Sequence, residues 1–118
     1  DEAVAEIRRL RLDKRSRRMW VRPSAGPHAD EEVEVLPPLS VSQFRLLEAL
    51  YDNQGLVVSR QELVAAVWRE EEAFEVSEQA LDALVRRLRD RIASIDPDHS
   101  YIVTVRGHGL RLDNPAID

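Results

Sequence analysis

The sequence predicts an α+β fold in which a small N-terminal antiparallel β-sheet is followed by a three-helix core and a C-terminal β-hairpin. Three observations carry it. Apolar and polar residues alternate over the first third of the chain. Between Leu39 and Ile95 the apolar period lengthens to that of a helix and restarts twice after a capping signal. Residues 101–112 then read as strand, glycine-containing turn and strand.

The first third places Ile7, Leu10 and Leu12, then Met19 and Val21, then Val33 and Val35 at strand spacing, with Pro, Gly, Ser and Asp between them. The run Pro23-Ser24-Ala25-Gly26-Pro27 is a loop, and Pro37-Pro38 ends the last of these strands. Ser40 with Gln43 forms a capping box and Leu39 with Phe44 a hydrophobic staple, so a helix spans about 41–53, with Phe44, Leu47, Leu50 and Tyr51 on its buried face. After the β-like run Leu56-Val57-Val58, Ser59 and Glu62 repeat the capping box and start a second helix that runs to about Trp68. The stretch 69–75 is too acidic for a buried element and reads as a linker. Ser77 caps a third helix over about 77–94, whose Leu81, Leu84, Val85, Leu88, Ile92 and Ile95 form one stripe. Pro97 ends it, and the chain closes on the hairpin.

A chain of 118 residues with 43% hydrophobic content fits a single domain over 1–118: a sheet segment over 1–38, the helical core over 39–95 and the hairpin over 100–112. No cysteine is present, so disulfides and thiolate chemistry are excluded. No apolar run approaches a membrane span and the start lacks a signal-peptide layout, so a soluble, cytoplasmic protein is expected, with no membrane partner. The histidines His28, His99 and His108 sit in loops or turns without ligand spacing, and no glycine loop precedes a helix. Neither an enzyme, a metal site nor a cofactor is therefore expected.

The net charge of −5 is the reverse of what a nucleic-acid binder usually shows, but the charge is segregated. Residues 8–22 carry eight basic side chains against Asp13, whereas 30–78 carry twelve acids against Arg45, Arg60 and Arg69. Residues 86–91, Arg-Arg-Leu-Arg-Asp-Arg, regain positive character. On the third helix Gln79, Ala83, Arg86, Arg87 and Asp90 fall opposite the apolar stripe, with Asp82 and Arg89 on one flank and Arg91 on the other. Guanidinium forks bind phosphates bidentately and pair with guanine edges, so this face suits duplex DNA. It also suits a plain solvated face, with Asp82 spaced to pair with Arg86 at i,i+4. The basic run 8–22 reads as the polar faces of a strand pair, with an additional contact to the DNA backbone as its alternative.

The stretches "LSVSQFRLLEAL", "NQGLVVSRQELVAAVW", "LDALVRRLRDRI" and "TVRGHGL" occur in this order between Leu39 and Leu112. In these four motifs the chain resembles the winged helix-turn-helix effector domain of OmpR/PhoB-type response regulators. The resemblance implies sequence-specific DNA binding within a two-component system, with the third helix in the major groove and the hairpin, or wing, at the minor groove. It places Arg87 at a base-contacting position, Arg86 and Arg89 at phosphate positions, Arg106 at the wing arginine, and Gln79, Thr104 and Trp68 where DNA can be touched. For Trp68, core packing is an equal reading. The chain departs from the family at Leu84, where a histidine is common, at Gln79, usually basic, at Leu110, usually aromatic, and at the acidic Asp90. Neutralising about four to six phosphates would give a salt slope of roughly −4 to −5. The resemblance further implies a receiver or other sensory domain outside this chain, and contact of the acidic loop at Glu70, Glu71, Glu72 and Glu75 with RNA polymerase. The alternative is a winged-helix protein-interaction module, favoured if the helix-three arginines are consumed by Asp82, Asp90 or that loop.

Overall fold

In a computed structural model, which describes residues 7–73 and 77–117 with the backbone alone for 69–73, the first third forms an antiparallel sheet of β1 (Leu10–Asp13), β2 (Arg18–Val21) and β3 (Val33–Glu34). The period-two pattern sorts its faces: Leu10 pairs with Val21 and Leu12 with Met19, all four buried, while Arg11 and Trp20 pair on the opposite face. The helices α1 (Val41–Tyr51), α2 (Arg60–Ala73) and α3 (Glu78–Ala93) follow, and then the hairpin β4 (Ile102–Val105) and β5 (Gly109–Leu112).

Each helix starts where its cap stands. Ser40 Oγ accepts from Gln43 N at 3.1 Å while Gln43 Oε1 accepts from Ser40 N at 3.0 Å. Ser59 and Glu62 make the same reciprocal pair at 3.1 and 2.9 Å, and Ser77 Oγ accepts from Ala80 N at 3.1 Å. These bonds satisfy amides that a helix start otherwise leaves open. Leu46, Leu47 and Leu50 of α1, Leu63 and Val67 of α2, and Leu81, Leu84 and Leu88 of α3 meet the buried faces of the sheet and hairpin in one apolar cluster.

Two departures from the sequence expectation concern segment ends. Helix α2 does not stop at Trp68 but continues to Ala73, so most of the supposed linker is helical backbone. Glu, Arg and Ala are strong helix formers and neither Gly nor Pro interrupts them; polarity only bars burial, not helix. The side chains of Glu70, Glu71 and Glu72, and all of Glu75, lie outside the described residues.

Nor does the chain close on the hairpin. Residues 113–117 return to β1: Arg9 N donates to Pro115 O at 3.1 Å, and the buried Asn114 accepts from Leu10 N and donates to Leu10 O, both at 2.8 Å. A side-chain amide carries one acceptor and two donors, so Asn114 replaces a strand neighbour for Leu10 and still reaches Gln54 Oε1 at 2.8 Å. A second buried polar group, Asp96, fixes the end of α3. It accepts from Tyr101 Oη at 2.6 Å and Ser24 Oγ at 2.8 Å. Burial pushes its carboxyl upward, but the two hydroxyl donors outweigh that and leave it below the usual aspartate range.

The fold is the expected winged helix-turn-helix. The wing is locked from behind by the α1–α2 connection, where Val58 N donates to Leu110 O at 2.7 Å and Leu110 N to Val58 O at 3.0 Å. Gly109 sits there at φ 142°, and a Cβ on it would lie 2.1 Å from Val58 O. Only glycine fits a backbone approach that close. Among the described residues, no helix is long and apolar enough to cross a membrane.

Candidate nucleic-acid interface

The apolar stripe of α3 fixes the opposite face by geometry. With Leu81, Leu84, Val85, Leu88 and Ile92 buried, Gln79, Asp82, Arg86, Arg87 and Asp90 are left exposed. Arg86 and Arg87 have no hydrogen-bond or ion-pair partner among the described residues, and neither has Arg106 at the tip of the wing. Beside α3 an open cleft of about 710 Å³ is lined by Arg86, Arg89, Asp90, Thr104, Arg106 and His108, with Ser59 and Arg60 at the start of α2 as its far wall. On the other side a groove of about 560 Å³ runs between Arg87, Trp68 and the first turn of α1 at Ser40 and Ser42. Arg86 and Arg106 thus share one depression, and Arg87 and Trp68 share another across the helix.

Two of the expected residues, Asp82 and Arg89, stand differently from the sequence expectation. Asp82 does not pair with Arg86; it accepts from Arg60 of α2 at 2.9 Å, and Arg60 also approaches Glu78 at 3.8 Å. Both arginines are within reach of Asp82 in principle, and the cross-helix pair additionally lets Arg60 bond the Glu78 carbonyl. Arg89 is half-buried and turned toward the wing, donating to Ile102 O from Nε at 3.1 Å and from Nη2 at 3.0 Å, and to Thr104 Oγ1 at 2.8 Å. Its guanidinium is therefore employed inside the molecule. Trp68 is half-buried and packed against the core, as its core reading has it, and it also lines the Arg87 groove. Gln79 is exposed at the start of α3, and Asp90 is an exposed acid in the cleft without an ion-pair partner among the described residues.

The basic N-terminal run behaves in the opposite way. Arg11 makes a forked pair with Glu32 at 2.7 and 3.1 Å, and Arg18 a forked pair with Glu34 at 2.8 and 2.7 Å. Arg9 pairs with Asp30 at 3.0 Å, Lys14 with Asp52, and Arg22 donates to Asp30 O. Arg11 and Arg18 also flank the Trp20 ring, at 3.9 and 4.9 Å from its centroid. Most of this run is thus the polar face of the sheet. Sequence reasoning did not find these pairs, although strands two or more residues long with alternating Arg and Glu offered a signal for cross-strand pairing.

Comparison with known proteins gives a consistent picture. Residues 34–112 match the family model described as transcriptional regulatory protein, C terminal. The transcriptional regulatory protein TcrA of Mycobacterium tuberculosis is 36% identical over 107 residues, covering 87% of this chain and 35% of TcrA. The transcriptional regulatory protein CreB of Escherichia coli is 38% identical over 77 residues, covering 64% of this chain and 33% of CreB. The chain thus spans about a third of the length of these relatives. Among solved structures, the DNA-binding domain of response regulator AdeR, in complex with an intercistronic region, superposes with a TM-score of 0.71 at 18% identity, covering 97% of this chain and 100% of that one.

Proposed function

The chain belongs to the family of C-terminal domains of transcriptional regulatory proteins, and from that premise we propose that it is the sequence-specific, duplex-DNA-binding effector of a bacterial transcription regulator. Helix α3 enters the major groove and the hairpin lies at the minor groove. The observation that carries this reading is the trio Arg86, Arg87 and Arg106, exposed on the α3–wing side and without partners among the described residues. A desolvated guanidinium pair with phosphate or guanine replaces water on both partners, whereas an arginine already paired with a carboxylate must first give that up. Arg87 reads a base edge, Arg86 and Arg106 meet the backbone and minor groove, and Gln79, Thr104 and Trp68 add neutral contacts. The activity is binding, and its place is the cytoplasm, where duplex DNA lies.

Three free cations give a counterion-release slope of about −3, smaller than the charge count of the segment suggests. The protein-interaction alternative would be favoured if Asp82, Asp90 or the acidic loop consumed the α3 arginines; Asp82 is taken by Arg60, Asp90 has no ion-pair partner among the described residues, and Arg89 alone of Arg86, Arg87 and Arg89 is engaged, with the wing, which supports DNA. The relatives' greater length supports a receiver or other sensory domain elsewhere in the regulator. The acidic segment with Glu70, Glu71, Glu72 and Glu75 is the surface offered to RNA polymerase: neutralising it should alter transcription output and leave DNA affinity unchanged, and equal loss of both would remove that assignment.

The deciding experiment is selection from random duplexes at low and moderate salt with the unaltered chain, Arg87→Ala and Arg106→Ala. Enrichment of a short motif, with each variant weakened about tenfold or more, is expected. Absence of salt-sensitive binding to any duplex would leave a protein-interaction module.

A further inference from the structure

Helix α3 and the wing are joined along the chain by residues 94–101, and in space by the shared apolar cluster and by the guanidinium of Arg89. Strand β4 pairs with β5 along one edge. Its carbonyl at Ile102 receives Arg89 twice, and the same Nη2 bridges on to the Thr104 hydroxyl two residues along. A planar fork spans both acceptors at once, which the compact ammonium of lysine does not do. Thr104 is exposed, and its hydroxyl has one proton and two lone pairs. With a lone pair committed to Arg89, the hydroxyl keeps its proton free to donate, and Thr104 lines the cleft that also holds Arg86 and Arg106.

We propose that Arg89 is a positioning residue and not a phosphate ligand: it fixes the angle between α3 and the wing, and aims the Thr104 hydroxyl proton at the DNA backbone. This rests on the DNA-binding reading and deepens it, because it makes the contribution of Arg106 conditional on Arg89. The charge of Arg89 reaches the phosphate through the polarised threonine hydroxyl. Its removal leaves α3 docked by its own apolar stripe and β5 held by Val58, so Arg87 keeps its place while β4 and the tip it carries lose their tie to the helix.

A double-mutant cycle on a selected duplex tests this. Arg89→Ala and Arg106→Ala should each weaken binding about tenfold, and the double variant should fall well short of the product of the two losses, whereas Arg89→Ala and Arg87→Ala should multiply. Arg89→Lys should be as weak as Arg89→Ala despite its charge, Thr104→Ser should bind normally and Thr104→Val should not. Full activity of Arg89→Lys, with the Arg89 and Arg106 losses multiplying, would make Arg89 a direct phosphate ligand and overturn the proposal. Amide exchange in the DNA-free protein supplies a reading independent of DNA: Arg89→Lys should speed exchange in β4 and leave β1 and β2 unchanged. Unchanged exchange in β4 would also overturn it. No duplex binding by the unaltered chain would sink the functional reading alone, and the exchange measurement would still decide the strut.

Discussion

The N-terminal sheet and the α3–wing face are both rich in arginine, yet they handle the charge in opposite ways. On the sheet, Arg9, Arg11 and Arg18 each face a carboxylate from the 30–34 segment, and two of them also sandwich Trp20. On α3 and the wing, Arg86, Arg87 and Arg106 are exposed without partners among the described residues, and Asp82 on the same helix is drawn off by Arg60. The difference teaches that counting basic residues locates positive charge on the chain but not on the surface. The negative total arises partly from acids that neutralise the sheet, so it says little about the face proposed to carry the binding.

The contrast can be broken most severely at Gly109. Gly109→Ala drives a methyl into Val58 O, so the wing must shift; a stability loss of about 3 kcal/mol is expected in chemical denaturation, together with loss of the Arg106 contribution to DNA affinity, while the sheet keeps its ion pairs. A melting curve like that of the unaltered chain would show the contact to be relieved cheaply. A smaller effect of opposite sign should come from Asp90, an acid of the cleft with no ion-pair partner among the described residues. Asp90→Asn should tighten DNA binding roughly two- to fivefold at low salt and less at high salt, as expected for one exposed charge. Weaker binding would mean that Asp90 accepts a hydrogen bond from a base.

The smallest effect on DNA belongs to the sheet. Arg18→Ala should change affinity less than about twofold in a binding titration, since its guanidinium is already engaged. Its signature is a pH dependence of stability. The hydrogen bonds from Arg11 and Arg18 hold the Glu32 and Glu34 carboxyls below their ordinary 4.5. Groups depressed in the folded state contribute stability above that value and lose it as pH falls through their folded values. Acid unfolding should accordingly flatten in Glu32→Gln/Glu34→Gln, and an unaltered acid limb would remove these pairs from the balance.

The sequence showed most of the scaffold because its signals are local. Ser40, Ser59 and Ser77 mark helix starts within a turn of themselves, and the alternation through Leu10, Leu12, Met19 and Val21 fixes which strand faces are buried. What it hid is tertiary. Spacing offers Asp82 only its own helix, so Arg60 is invisible as its partner; the wing-directed bonds of Arg89 cross from helix to strand; and the reach of Asn114 back to Leu10 spans nearly the whole chain. Acidity misled the reading of α2, because Glu disfavours burial and at the same time favours helix. The candidate arginines were legible as a set, but which of them are unengaged was not.

The protein carries two tryptophans, and the fold assigns them to the two regions just contrasted. Trp20 lies against two guanidinium groups on the sheet, and Trp68 lines the groove beside Arg87. The molecule therefore holds two built-in optical probes. Replacing Trp20 by phenylalanine leaves an emission that follows what occupies the groove, and replacing Trp68 leaves one that follows the cation stack and the Glu32 and Glu34 carboxylates that hold it.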